Sequence, residues 1–268
     1  MSLRITTNVE AFNAYRNLNT TSAAVTKSMT RLSSGYRINS GADDAAGLGI
    51  SESMRSQIRG LAQAQKNIQD GVSMVQTAEG SLNEVHSMLQ RIRELAVQYK
   101  NGTLSTAGQA AIQTEVNQLA SEIERIGAAA SFNGLSLLSS TSSVSFQVGS
   151  NDGQQITVSM ISLGSSLGTA YYSLSSTGTA DLSEIDAAIT AVSATRSTFG
   201  AVQNRLENAL SVSAAYQENL TAAESRIRDV DMAEEMVNLT KNQILQQAGT
   251  AMLAQANQAP QAVLSLLR

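Results

Sequence analysis

The residues able to do chemistry are few and poorly grouped. His86 is the single histidine among 268 residues, and cysteine is absent. It sits in a helical pattern beside Leu82, Val85 and Leu89. No second histidine or thiolate can share a metal or a proton with it, so neither zinc ligation nor an acid–base relay is expected. Gly47 and Gly49 lack the spacing of a phosphate-binding loop, and no Gly-Lys-Ser/Thr occurs anywhere. The acidic groups, Asp43 with Asp44 and Asp229, Asp231, Glu234 and Glu235, read as helix caps and solvated faces rather than as a cation site. Asn19, Asn219 and Asn238 each open an N-x-Thr triplet, but all three lie in helical patterns rather than in loops. The expectation is a protein that is not an enzyme and that has no cofactor and no metal.

Stepping from side chains to elements, the composition favours long helices. Hydrophobic residues make up 42% of the chain but aromatic residues only 4%, with no tryptophan. Such a core is built from Ala, Val, Ile, Leu and Met in thin helical layers. Proline occurs once, at Pro260, which leaves helices free to run uninterrupted. A net charge of −4, a pI near 5.1 and the lack of a basic run argue against nucleic acid as a partner. The first fifteen residues hold no apolar core of the kind an ordinary secretory signal requires.

Over 45–99, Ile58, Leu61, Ile68, Val72, Val75, Leu82, Val85, Leu89, Ile92 and Ala96 recur by threes, fours and sevens. That pattern predicts one helix of roughly 80 Å and hence a rod. After a break at Asn101-Gly102, Ile112, Val116, Leu119, Ile123 and Ile126 predict a second helix folded back on the first. The chain then turns Ser-, Gly- and Thr-rich. Asn133-Gly134 marks a turn, and the alternation of Val144, Phe146 and Val148 with Ile156, Val158 and Met160 predicts a β-hairpin near 140–162. Residues 162–179 read as loop. Helix resumes near Asp181 through Ile185, Ile189, Val192, Phe199, Leu206 and Leu210, with the same stepping expected to continue into the carboxy-terminal run.

The two ends carry seams. Ala11, Leu18, Val25 and Leu32 fall seven apart, with Tyr15 and Met29 beside them; Val230, Val237, Ile244 and Ala251 do the same, flanked by Ala248 and Met252. Between 242 and 267 there is no charged residue, while Gln243, Gln246, Gln247, Gln255, Asn257 and Gln258 keep the surface polar. That amide content is too costly for hydrocarbon, so no membrane span is expected, and the face suits contact with other subunits. The predicted fold is mainly α, a long antiparallel helical rod or coiled-coil bundle with a small β-hairpin. Its parts are 1–43 and 229–268 as the two halves of an inner coiled coil, and 44–228 as a helical bundle. Two classes of function remain open on these grounds: a self-assembling fibre subunit, and a helical signalling or adaptor coiled coil.

The stretch LSSGYRINSGADDAAGLGIS, residues 32–51, resembles the amino-terminal signature of bacterial flagellins. Residues 67–98, Phe132-Asn133-Gly134 and residues 218–268 are similar to the same family. Tyr36 and Gly49 depart from it, standing where Leu and Ala are expected. The resemblance implies a minimal, two-layered subunit that polymerises with itself into the flagellar filament, the propeller for swimming. The hook-filament junction protein is the nearest alternative of like architecture. The resemblance further implies an extracellular location reached through the flagellar export channel without a cleaved signal. The partners it implies are an export chaperone, the filament cap and hook-filament junction proteins. The eight seam residues named above would carry polymerisation. Gln90, Arg91, Leu95 and Glu115 match the family's contacts for a vertebrate Toll-like receptor.

Overall fold

A computed structural model of the chain describes residues 8–167, 172–174 and 181–266. Its elements are α1 (Val9–Ser34), α2 (Ala45–Tyr99), α3 (Thr106–Ala129), β1 (Ser131–Phe132), β2 (Leu135–Ser136), β3 (Ser143–Gln147), β4 (Gln155–Ser159), α4 (Leu163–Leu167), α5 (Asp181–Arg228) and α6 (Met232–Leu266). The expected class, mainly α with a small hairpin, is the one observed. Two compact units result: Met1–Ser56 with Leu220–Arg268, and Gln57–Asn219. Boundaries at 43/44 and 228/229 follow breaks in the helices, whereas the units divide inside α2 and α5. The start of α2 and the end of α5 are bonded to the terminal connectors: Glu52 pairs with Arg228, and Arg37 donates to the carbonyl of Ile227.

In the Gln57–Asn219 unit, α2 buries Leu61, Ile68, Val75, Leu82, Leu89 and Ala96, with Ala64, Ala78, Val85 and Ile92 between them. With Gly71 standing between Ile68 and Val75, these step by threes and fours, the period that keeps one face of a helix against its neighbours. On α5 a like stepping buries Ile185, Ala188, Val192, Phe199, Val202 and Leu206, with the half-buried Thr195 between Val192 and Phe199. Helix α5 runs antiparallel to α2, because their polar partners come in opposite order: Arg93 with Asp186, Glu79 with Arg196, and Gln65 with Gln217. Helix α3 starts at an N-cap, Ser105, whose hydroxyl accepts from the Gly108 amide, and it buries Ile112, Val116 and Ile123 in the same core.

The two β-hairpins are short and locally specified. Asn133 and Gly134 have φ of 47° and 79°, the left-handed pair that closes a two-residue hairpin between β1 and β2. Strands β3 and β4 form the expected hairpin, pairing Val144 with Val158 and Phe146 with Ile156. One departure concerns residues 162–179. Leu163–Leu167 is helical, Leu163 is buried, and Tyr172 and Leu174 pack against the core. The reason is Gln113, whose amide donates to the Tyr172 carbonyl at 2.8 Å and accepts from the Leu174 amide at 3.3 Å. The remainder of that expected loop, 168–171 and 175–179, lies outside the described residues.

Gly71 occupies a position in the inward series of α2 where a side chain would otherwise stand. A Cβ there would meet the Phe146 ring at 3.2 Å and Leu206 at 3.4 Å, so the hairpin's aromatic ring fills the place instead. Gly80, on the same helix, has nothing within 4 Å of such a Cβ and is exposed. The two glycines are therefore expected to respond oppositely in urea unfolding. Gly80→Ala should stabilise by about 0.5–1 kcal/mol through helix propensity, and Gly71→Leu should destabilise by about 1–3 kcal/mol through overpacking. A Gly71→Leu midpoint equal to that of the parent would contradict the assigned role of Phe146.

Candidate functional site

The chain's two terminal helices form the site. Asn8 caps α1 by accepting from the Ala11 amide, and Gly35 ends it in the left-handed conformation, φ 74°, with its amide on the Arg31 carbonyl. Asp231 starts α6, its carboxylate accepting from the amides of Ala233 and Glu234. The helices pair antiparallel. Asn8 donates to the Ala256 carbonyl at 2.7 Å, Leu18 lies against Gly249, and Arg31 pairs with Glu235 at 3.4 Å.

On α1 the inward face is the one expected. Ala11, Leu18, Val25 and Leu32 are all half-buried, with Ala14, Thr21 and Ser28 alternating between them. On α6 the structure turns a different face to α1. The covered positions are Glu235, Leu239, Asn242, Gln246, Gly249, Leu253 and Ala256, again by fours and threes. Val237 and Ile244, named on apolar spacing, are 68% and 60% exposed, and Ala251 is exposed with them. Val230 is not helical: it lies in the connector between α5 and α6, where its amide donates to the Gly35 carbonyl. The carboxy-terminal series is thus not the mate of the amino-terminal one within the subunit. It is a free strip.

Met232, Met236, Leu245 and Met252 are also exposed on α6, and Phe12, Tyr15 and Met29 stand exposed on α1. Between the helices opens a groove of about 840 Å³, with Asn17, Leu18, Thr21, Leu245, Gly249 and Met252 in its walls. An apolar strip on a helix that carries no charge from Asn242 onward is suited to covering by further helices rather than to solvent. Among the described residues no helix is long and apolar enough to cross a membrane, and no three metal-binding side chains come together.

The four residues named for receptor contact lie in the other unit. Arg91 is exposed and donates through Nε and Nη2 to Glu115 at 3.1 and 2.9 Å, and through Nη1 to Glu94 at 3.2 Å. Those carboxylates, Glu115 first, raise the Arg91 pKa above its ordinary value. Gln90 is exposed, with its amide 3.0 Å from His86 Nε2. Leu95 differs from the other three: only 2% exposed, it belongs to the hydrophobic core and offers no surface. Sequence spacing had the signal, since Leu95 stands three after the buried Ile92.

The arrangement defines a class: a mainly helical protein whose paired terminal helices leave an apolar strip exposed. Comparison with known proteins identifies the family. Residues 5–143 match the bacterial flagellin N-terminal helical region and residues 182–267 the bacterial flagellin C-terminal helical region. A flagellin of Halalkalibacterium halodurans is 52% identical over 269 residues, covering 97% of this chain and 98% of its own length. A flagellar filament 33 kDa core protein of Treponema phagedenis is 47% identical over 281 residues, with the same coverage. The crystal structure of Bacillus cereus flagellin is similar at a TM-score of 0.51 and 30% identity, over 55% of this chain and 88% of that one. The chain belongs to the bacterial flagellin family and is a structural subunit of the flagellar filament. Nothing in these comparisons favours a hook-filament junction protein or a signalling coiled coil.

The connector from α1 to α2 is pinned by Asp43, and acid should release it. Lys27 at 2.7 Å is the main cause that lowers the Asp43 pKa from 3.8 to about 2, helped by the Ser40 hydroxyl and the amides of Asn39 and Ser40. A depressed carboxyl stabilises the folded connector fully above its unfolded value and loses that contribution as pH falls through the folded one. The Ser40 amide resonance should therefore titrate with a midpoint near 2, and Asp43→Asn should abolish the transition. A midpoint at 3.8 would show that Asp43 is not held.

Proposed function

We propose that the subunit polymerises through the free strip of α6 together with the α1 face beside it. The observation that carries this is the exposure of Val237 and Ile244 on a helix that is already paired through its opposite side. In this reading Ala11, Leu18, Val25 and Leu32 build the pair that each subunit brings, and Val237, Ile244 and Ala251 are the surface that joins subunits. Val230 serves the connector. The filament would lie outside the cell, reached through the flagellar export channel without a cleaved signal, with an export chaperone, the filament cap and junction proteins as the partners of that route.

We further propose that Gln90, Arg91 and Glu115 form the face that a vertebrate Toll-like receptor reads, with Leu95 acting from beneath by holding α2 in the core. Arg91 is already oriented by two carboxylates, and a preset side chain loses less freedom on binding.

Ile244→Asp tests the polymer surface. Ile244 is exposed in the subunit, so circular dichroism should show unchanged helicity, surface substitutions costing within about 0.5 kcal/mol. Burying the unpaired carboxylate between subunits costs several kcal/mol, against the ~8 kcal/mol gained by a subunit that adds at micromolar concentration. The variant should therefore stay in the supernatant when wild-type seeds are sedimented, and pelleting like the parent would reject the strip as the joining surface. For the receptor face, Arg91→Ala should lower the potency of soluble protein in a receptor reporter assay at unchanged helicity. Equal potency across the dose range would remove Arg91 from recognition.

A further inference from the structure

The two connectors of the terminal unit meet at a single buried arginine. Residues 35–44 lead from α1 to α2, and residues 229–231 lead from α5 to α6. They cross as a one-pair antiparallel bridge between Tyr36 and Asp229, in which the Arg37 amide donates to the Arg228 carbonyl at 2.7 Å and the Val230 amide to the Gly35 carbonyl at 3.1 Å. A bridge so short has little strength of its own. Arg228 is added to it: 9% exposed, its guanidinium lies 4.8 Å from the centre of the Tyr36 ring, and its Nη1 is 2.6 Å from Glu52 Oε1. Arg55 reaches the same Glu52 oxygen at 3.2 Å, and Arg37 crosses the other way to the Ile227 carbonyl at 2.6 Å.

We infer that Tyr36, Arg228 and Glu52 form a latch that fixes where the α1–α6 pair begins, with Tyr36 as its positioning residue. Three segments converge on it: the connector after α1, the start of α2 and the end of α5. The pair has its closed end here and runs from Arg31 with Glu235 out to Asn8 with Ala256. The inward faces carry a few large side chains, Leu18, Val25, Leu32, Leu239 and Leu253, among Ala, Ser, Thr, Gly, Asn and Gln, so packing alone sets their register weakly. A fixed point at one end supplies it. The aromatic face suits a guanidinium that is mostly shielded from water, because the ring attracts the cation without demanding a second counter-charge. Glu52 then takes up the forward edge of the fork. Register of the terminal pair in turn determines which residues of the α6 strip face outward, so the latch bears on polymerisation, and to that extent it rests on the assembly proposed above.

The test compares Tyr36→Leu, which removes the ring, with Tyr36→Phe, which keeps it. Full-length chains are grown from wild-type seeds, and deuterium uptake is followed in the filament over the peptides that contain Arg37 and Val230. Tyr36→Leu should speed exchange there about fivefold or more, or add to seeds correspondingly slowly at unchanged helicity, and Tyr36→Phe should restore both to the parent's values. Parent-like exchange and growth in Tyr36→Leu would overturn the latch. So would a Tyr36→Phe variant that behaves as Tyr36→Leu does, because the ring would then be irrelevant. If the parent itself fails to add to seeds, the assembly reading fails instead, and the same exchange comparison is made on the soluble chain, with the same outcomes for and against.

Discussion

The terminal unit is governed by how little the seam between α1 and α6 can bury. The helices are 26 and 35 residues long, yet between the inward Leu18, Val25 and Leu32 of one and Leu239 and Leu253 of the other they place Ala11, Ala14, Thr21 and Ser28 on one side and Asn242, Gln246 and Gly249 on the other. Apolar burial contributes about 25 cal/mol per Å², while ordering a residue's backbone costs about 1–2 kcal/mol. Small and polar knobs fall short of that cost. Further large side chains, Phe12, Tyr15, Val237, Ile244 and Met252, are exposed. Residues that could add to the burial are thus left exposed, which is the division of labour that the proposed assembly uses.

This division also explains what was legible in the sequence and what was not. Helix α2 could be read to its ends, 45–99, because an apolar period sustained over many turns has no other solution, and the two strands of the hairpin could be read from the alternation of Val144 with Phe146 and of Ile156 with Val158. On α1 the most apolar series is also the covered one. On α6 the two separate: Val237 and Ile244 outrank Glu235 and Asn242 in hydrophobicity but are exposed, while the latter two are covered. Periodicity finds the apolar stripe of a helix. It cannot tell which partner the stripe is for, and in a subunit with external partners the stripe facing its own chain can be the more polar.

Two further mismatches have the same physical root. Val230 continues a seven-residue series on paper, but Asp229 and Asp231 flank it. A carboxylate that accepts from the next amides begins a new helix more readily than it continues an old one, as Asp231 does with Ala233 and Glu234. Leu95 lies amid the exposed Gln90, Arg91, Arg93 and Glu94, and a motif match assigns it to their surface. Its three-residue spacing from Ile92 places it with the core instead. A residue read from a motif inherits the motif's role, whereas its burial follows from period alone, and where the two disagree the period describes the geometry.

Seam glycines make the last link between pattern and packing. Gly71 and Gly249 both stand in inward series, where a helix with tight neighbours is expected to carry Leu or Ala. Each weakens its helix by roughly 0.5–1 kcal/mol relative to Ala. Each also leaves a hole that one large side chain fills: Phe146 over Gly71, and Leu18 over Gly249. A missing knob on one element thus becomes the socket for another, which fixes an axial position that a row of interchangeable alanines would leave free to slide. In the Gln57–Asn219 unit the socket seats a hairpin, and in the terminal unit it sets Leu18 against one chosen turn of α6. The glycines therefore specify register where the surrounding residues supply mainly area.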